Sequence, residues 1–121
     1  MINNYIALDI ETTGLNPAND KIIEIGMAKV ENGVITGKYQ QLINPQRPID
    51  ERITQLTGIN DSMVENAPVI NDIIQEIIDF IGELPILGHN VIFDYSFLKK
   101  SAVNNKLTFE KDGIDTLKIA R

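Results

Sequence analysis

The chain has 121 residues, of which 43% are hydrophobic and 23% charged, and its formal net charge is −6. This length and composition predict one globular domain with a single core over residues 1–121. The negative charge argues against a protein that holds nucleic acid on a broad basic surface. Because the chain has no cysteine, a disulfide framework, a thiolate nucleophile and a zinc-thiolate site are excluded.

The first residues, "MINNYIALDIE", lack the basic region and apolar stretch of a secretory signal. Nowhere does the sequence approach the roughly 20 consecutive apolar residues that a membrane span needs. We therefore expect a cytoplasmic protein with no membrane contact. Any function that handles phosphate must use metal ions, backbone amides or a partner to offset the negative charge.

Residues 3–45 predict three adjacent antiparallel strands. The segment "NNYIALDIETT" reads as the first strand, and "DKIIEIGMAKVENGVITGKYQQLINP" reads as two more. The second and third strands are predicted to meet at Glu31-Asn32-Gly33, because Asn-Gly is a strong hairpin signal.

Helical signals follow from residue 50 onward. A short helical piece is predicted near 50–56, and Ser62 three residues before Glu65 resembles a capping box. Pro68 is predicted to open a long helix that Gly82 ends. Apolar residues recur within it at helical spacing and are expected to face the core: Val69, Ile70, Ile73, Ile74, Ile77, Ile78 and Ile81.

The remaining segments predict one more strand–helix unit and the start of another. "LPILGHN" reads as a short buried strand, and "VIFDYSFLKKSAVNN" as a helix with Phe93, Phe97 and Leu98 turned inward. "KDGIDTLKIAR", residues 111–121, predicts a fifth strand and the first turns of a helix. The order β-β-β-α-β-α places the chain in the α/β class.

Three carboxylates are candidates for a metal site. Asp9 and Glu11 are one residue apart on the first strand, so both side chains point to the same face. Asp94 lies in the first turn of the helix after the fourth strand, and it would join them if that strand pairs beside the first. Such a cluster is costly without a divalent cation, and oxygen-only ligands suit Mg²⁺ or Mn²⁺ better than zinc. Two such ions about 4 Å apart could stabilise the attacking and leaving oxygens of a displacement at phosphorus.

Each of these signals also has a simpler interpretation. An Asp-x-Glu pair on a strand is most often solvated on an exposed sheet face. Asp94 alone could be an acid placed against the helix dipole, and residues 12–14 could be only the turn that ends the strand. The three signals together favour a metal site.

The motifs that carry these acids also carry a resemblance. "LDIETTGLNP", "IIEIGMAKV", "LTGI", "ILGHNVIFDYSFL" and "IDTLKIAR" occur in the order found in the DEDD superfamily of 3′-to-5′ exonucleases. The chain resembles in particular the epsilon-type proofreading exonucleases of bacterial DNA polymerase III. The family's first motif, Asp-x-Glu, matches Asp9 and Glu11. Its second, Asn-x-x-x-Asp, matches Asn90 and Asp94, so the resemblance makes Asp94 the third metal-binding carboxylate.

The resemblance implies a fold, an activity and a set of substrate contacts. The fold is that of ribonuclease H, a mixed five-stranded sheet with helices on both faces. The activity is hydrolysis of phosphodiester bonds at the 3′ end of single-stranded nucleic acid with two Mg²⁺ or Mn²⁺ ions. The implied role is DNA proofreading or repair, and the implied partner is a DNA polymerase subunit or domain. The family's second motif adds Asn90 to the substrate site, and Phe93 is expected to pack in the core. Two further segments would contact the terminal nucleotide: Thr12, Thr13 and Gly14 against its end, and Thr57, Gly58 and Ile59 over its base and sugar.

The family's third motif is missing from the sequence. That motif is a helix with His-x-x-x-x-Asp, in which the histidine is the general base and the aspartate is the fourth metal ligand. The only match is His89 with Asp94 in "HNVIFD", and we reject it because Asp94 already serves the second motif. A structural or hydrogen-bonding role is expected for His89. The pattern predicts a domain cut within a C-terminal helix, with weak or no activity and an uncovered sheet face that favours self-association.

Two other functional classes stay open. The first is a non-catalytic module of the same fold that binds metal or nucleic acid. The second is an endonuclease or integrase, which is disfavoured because those relatives lack the Thr-Thr-Gly and Thr-Gly-Ile elements that accept a strand end. The sequence does not distinguish a DNA from an RNA substrate.

Overall fold

The structure, a computed structural model, describes residues 3–110, which form a mixed β-sheet with helices packed on it. The strand order is β3-β2-β1-β4; β1 pairs antiparallel with β2 and parallel with β4, and β2 pairs antiparallel with β3. The predicted α/β class and mixed sheet are confirmed, whereas the predicted fifth strand and the helix after it lie in 111–121, outside the described residues. The strands are β1 (Tyr5–Thr12), β2 (Ile22–Glu31), β3 (Val34–Leu42) and β4 (Ile86–Leu87).

The predicted hairpin between β2 and β3 is confirmed. Asn32 and Gly33 connect the strands, with φ angles of 54° and 78°. Positive φ at both central residues is what a two-residue hairpin turn requires to match the twist of its strands, and Asn-Gly satisfies it at little cost.

The helices are α1 (Glu51–Thr57), α2 (Asp61–Val64), α3 (Ile70–Ile81) and α4 (Val91–Asn104). Asp50 caps α1 by accepting from the Arg52 N–H, and Gly82 ends α3 as predicted. Within residues 3–110, no helix combines the length and apolar character needed to cross a membrane.

Two helix starts differ from the predictions. The cap of α2 is Asn60, whose side chain accepts from the Met63 N–H, whereas Ser62 lies inside the helix and donates to Asn60. Helix α3 begins at Ile70, because Val69 keeps an extended backbone and the Pro68 carbonyl accepts from the Asn44 N–H outside the helix.

The main core lies between one face of the sheet and helices α3 and α4. Ile6, Leu8 and Ile10 of β1 point into it, and the apolar stripe of α3 lies against them, as predicted. Phe97 and Leu98 of α4 are buried there, and Phe93 packs at its margin. A second, smaller cluster joins the start of β2 to α1 and α2: Ile23, Ile49, Ile53, Ile59 and Val64.

The opposite face of the sheet carries small and acidic side chains. Ala7 and Asp9 of β1 lie across from Ala28 and Gly26 of β2, and together with His89 they line a shallow trough. No residue of the four described helices lines this trough. The first two predicted metal ligands therefore stand on the face of the sheet that these helices leave accessible.

Candidate active site

Asp9 and Glu11 are delivered by β1 to one face of the sheet, as the strand period predicts. Their cross-strand neighbours on β2 are Gly26 and Glu24, respectively. Because Gly26 has no side chain, the exposed Asp9 has open space beside it. The strand register shifts just after Glu11, and such irregularities are common where a strand ends at a functional site.

Asp94 reaches the same region because β4 lies beside β1. The parallel pairs Ile6 with Ile86 and Ala7 with Leu87 place the end of β4 next to Leu8 and Asp9. The chain then passes Gly88, where an ideal Cβ would lie 2.7 Å from the Leu8 carbonyl oxygen and 3.8 Å from Asp94 Oδ2. A glycine at this position thus permits the close approach of α4 to the strand that carries the other two acids.

The three carboxylates influence one another electrostatically. Asp94 is only 4% exposed, and its pKa is raised to about 7, mainly by burial and further by repulsion from Asp9 and Glu11. Burial also raises the pKa of Glu11, with added repulsion from Asp9 and Glu24. The negative charges of Asp9 and Glu11 thus oppose ionisation of Asp94, and a bound cation would relieve that repulsion.

The donor chemistry of this cluster fits a hard divalent cation. All the candidate ligand atoms are carboxylate oxygens, which Mg²⁺ and Mn²⁺ prefer. Among residues 3–110, however, no group of three or more His, Cys, Asp or Glu side chains is already arranged to hold a metal ion. Three carboxylates without a counter-charge lower their repulsion by keeping apart, so closing the site requires side-chain movement.

The loop after β1, residues 12–14, is held by its own hydrogen bonds. The Thr12 hydroxyl donates to the Gly14 carbonyl at 2.6 Å. The Thr13 hydroxyl donates to Asp20 at 3.2 Å and accepts from the Lys21 N–H at 2.9 Å. The Thr13 hydroxyl, predicted to contact substrate, is therefore engaged within the loop. Sequence reasoning missed Asp20, since nothing in the turn-rich segment before β2 distinguishes it from a solvated acid.

The second predicted substrate segment, residues 57–59, forms the end of α1. The Thr57 hydroxyl donates to the Ile53 carbonyl at 2.9 Å and accepts from the Ile59 N–H at 3.1 Å. Gly58 has a φ of 79° and caps the helix, while Ile59 is buried in the second cluster beside Ile23 of β2. The structure thus ties this segment to the strand that carries Glu24, and leaves its neighbour Leu56 77% exposed.

The residues around the start of α4 differ in their roles. Asn90 is exposed at the N-cap, and its carbonyl, not its side chain, accepts from the Asp94 N–H at 3.1 Å. His89 is exposed and lines the trough that includes Asp9. Phe93 packs on Phe97 with ring centroids 4.9 Å apart, which agrees with its predicted packing role.

Sequence comparisons place the chain among nuclease domains. The model of the RNase T exonucleases matches residues 6–121. A PolC-type DNA polymerase III from Caldanaerobacter subterraneus subsp. tengcongensis is 43% identical over 117 residues, which are 97% of this chain and 8% of that polymerase. The PolC-type enzyme of Bacillus subtilis is 40% identical over 120 residues, again 97% of this chain and 8% of the relative. The chain therefore spans a small part of these relatives.

Solved structures show the same fold. Exonuclease X in complex with 5′ overhanging duplex DNA is 30% identical, with a TM-score of 0.66 over 77% of this chain and 52% of that chain. Exonuclease I of E. coli in complex with a dT13 oligonucleotide is 18% identical, with a TM-score of 0.76 over 88% of this chain and 25% of that chain. The site residues Asp9, Glu11 and Asp94 all fall within the range that the family model matches. This chain belongs to the RNase T family of exonucleases, with the ribonuclease H-like fold that its sequence predicted.

Proposed function

We propose that this chain is the catalytic domain of a metal-dependent 3′-to-5′ exonuclease that acts on single-stranded DNA ends. The observation that carries the proposal is that β4 pairs beside β1, so that the start of α4, with the buried Asp94, lies next to the strand that carries Asp9 and Glu11. A buried carboxylate repelled by two others costs stability. Such an arrangement is typical of sites where a cation and a phosphate are bound.

Asp9, Glu11 and Asp94 are the proposed ligands of two Mg²⁺ or Mn²⁺ ions. When bound, such ions supply Lewis-acid stabilisation to the attacking and leaving oxygens at phosphorus. The protein's own contribution is to hold two of the acids on β1 and the third in the first turn of α4, which follows the adjacent parallel strand β4. Because the chain has a net charge of −6, the metal ions must neutralise the three carboxylates before a negatively charged phosphodiester can approach them.

The substrate contacts are proposed to come from the segments beside this cluster. Residues 12–14 continue directly from Glu11, and residues 57–59 are tied to β2 through the buried Ile59. Asn90 is exposed one helical turn before Asp94. The three segments thus belong to the end of β1, to a helix end packed on its neighbour β2, and to the start of the helix that carries Asp94.

The biological setting is proposed from the relatives. The PolC-type polymerases that match over nearly this whole chain are DNA polymerase III enzymes, which favours proofreading of newly made DNA with a polymerase as the partner. Such a role would place the protein in the cytoplasm. The exonuclease I and exonuclease X structures with DNA favour a DNA substrate for this fold.

A non-catalytic module of the same fold is the second candidate. It applies if no residue outside these 121 supplies the family's third motif, because within them His89 is the single histidine and no His-x-x-x-x-Asp follows Asp94. Losing a general base typically lowers a rate by about 10² to 10⁴. The module would then keep metal and strand-end binding without measurable turnover.

The two candidates are separated by a cleavage assay with a 5′-labelled single-stranded oligonucleotide in Mn²⁺. An exonuclease is expected to give a ladder of products shortened one nucleotide at a time from the 3′ end, and Glu11→Ala should abolish the ladder. Glu83→Ala, which removes an exposed acid before β4, is the matched control and should leave it unchanged. A ladder that persists at the same rate in Glu11→Ala would refute the proposed site.

A further inference from the structure

We propose that Asp20 is the positioning residue of the loop at 12–14, holding it in the shape that receives the 3′-terminal nucleotide. The inference rests on the proposed function, because it assigns that loop to the strand end. It adds a residue that no sequence motif indicated.

Both oxygens of Asp20 hold this loop. Oδ1 accepts from the Thr13 hydroxyl at 3.2 Å, and Oδ2 accepts from the Asn16 N–H at 3.0 Å. The backbone adds a further bond between the same two residues, because the Asp20 N–H donates to the Asn16 carbonyl at 2.7 Å. One carboxylate therefore bonds to both sides of Gly14, and hydrogen bonds to a charged acceptor are stronger than neutral ones.

Gly14 and Asp20 form one unit. An ideal Cβ on Gly14 would lie 2.6 Å from Cγ and 2.8 Å from Oδ1 of Asp20. Real Cβ atoms do not approach a carboxylate this closely, so any side chain at Gly14 would displace Asp20 from its two donors. The glycine of the Thr-Thr-Gly element is thus explained by the space that the Asp20 carboxylate occupies.

Asp20 also connects the loop to the segment between β3 and α1. Arg47 Nη1 lies 4.0 Å from Asp20 Oδ1, with side-chain exposures of 40% and 24%. An ion pair this exposed adds little energy, so the hydrogen bonds to Thr13 and Asn16 carry the positioning. Because the hydrogen bonds contribute more than the ion pair, Asp20→Asn, which keeps one acceptor oxygen, should still partly position the loop.

The test measures the affinity of the 121-residue chain for two labelled oligothymidylates, one with a 3′-hydroxyl and one with a 3′-phosphate, by fluorescence anisotropy in Ca²⁺. Its variants are Asp20→Ala, Asp20→Asn, Gly14→Ala and the double variant Gly14→Ala/Asp20→Ala. Asp79→Ala is the matched control, because Asp79 is an exposed acid of α3 whose carboxylate accepts from the Gln75 side chain. Calorimetric titration with Mn²⁺ measures the metal affinity of each variant separately from oligonucleotide binding. A variant that binds Mn²⁺ as the wild type does has kept its fold and its metal site.

Asp20→Ala is expected to weaken 3′-hydroxyl binding about ten- to a hundredfold, the factor given by losing charge-assisted hydrogen bonds. Binding of the 3′-phosphate oligonucleotide and of Mn²⁺ should stay within about twofold, and Asp20→Asn should be intermediate. Gly14→Ala should resemble Asp20→Ala, and the double variant should lose no more than either single variant, because both remove the same contact.

Three outcomes would overturn the inference. If the wild type does not prefer the 3′-hydroxyl end, the proposed function fails and the assignment of Asp20 fails with it. If the wild type has the preference and Asp20→Ala keeps it, the assignment of Asp20 alone fails. If the losses from Gly14→Ala and Asp20→Ala multiply in the double variant, the two residues do not act as one unit. Should Asp20→Ala not fold, Asp20→Asn and Gly14→Ala carry the same comparisons.

Discussion

Gly88 lies so close to Leu8 that a Cβ added to Gly88 would stand 2.7 Å from the Leu8 carbonyl oxygen. This contact is where β4 ends beside β1, two residues before the N-cap of α4. It therefore determines how closely Asp94 can approach Asp9. The Gly88 contact involves backbone, which cannot move aside as a flexible side chain can.

Gly88→Ala is expected to separate β4 from β1 and to move Asp94 away from the other acids. The overpacking should lower the free energy of unfolding by about 1–3 kcal/mol, and Mn²⁺ affinity should fall together with it. Chemical denaturation and calorimetry measure the two effects. Gly37→Ala is the control, because its Cβ would meet only side-chain atoms at 3.4 Å or more; equal losses in both variants would contradict the account.

The raised pKa of Asp94 predicts a pH-dependent stability in chelator. Its folded-state pKa, about 7, lies above the ordinary value of 3.8, so the folded protein binds more protons than the unfolded chain between these values. The associated stability is fully present below pH 4 and is lost as the pH rises towards and through 7. The melting temperature of the wild type should therefore fall relative to that of Asp94→Asn as the pH rises from 4 to 8. Parallel curves for the two proteins would show that Asp94 is not buried beside other acids.

His89 is expected to be dispensable for catalysis although it lines the same trough as Asp9. His89→Gln should leave the Mn²⁺-dependent cleavage rate within about threefold of the wild-type rate. Removal of a general base would instead lower the rate by about 10² to 10⁴. Single-turnover rates with a 5′-labelled oligonucleotide provide the measurement. A loss of a hundredfold or more, with Mn²⁺ affinity unchanged, would make His89 the base.

The accessible face of the sheet is expected to support weak self-association. Ala7, Gly26 and Ala28 form a surface of small residues beside Asp9, and apolar surface left open favours association. Sedimentation velocity should show a mass that increases with concentration, and Ala28→Lys should reduce this increase. Val34→Lys, at an exposed apolar position on the edge strand β3, should not; a clean monomer at all concentrations would contradict the prediction.

Much of this architecture was predictable because its signals are local. The Asn32-Gly33 turn, the apolar stripe of α3 and the same-face pair Asp9 and Glu11 each follow from spacing along the chain. The α2 cap was wrongly assigned to Ser62 because two capping residues lie near each other, and the backbone geometry that lets the Asn60 side-chain amide oxygen accept from the Met63 N–H is not visible in the residue order. The contact of Gly88 with Leu8 joins residues far apart in the chain, and the contact of Asp20 with Gly14 depends on how their loop closes, so the residue order alone reveals neither.

Anomalous diffraction from crystals of the chain soaked in Mn²⁺ would locate the metal site directly. We expect a manganese peak bounded by the carboxylates of Asp9, Glu11 and Asp94, with the side chains drawn together relative to the metal-free protein, and no such peak in Asp94→Asn crystals. The absence of a peak at these three residues under saturating Mn²⁺, or a peak that persists unchanged in Asp94→Asn, would contradict the claim that they form the metal site of an exonuclease.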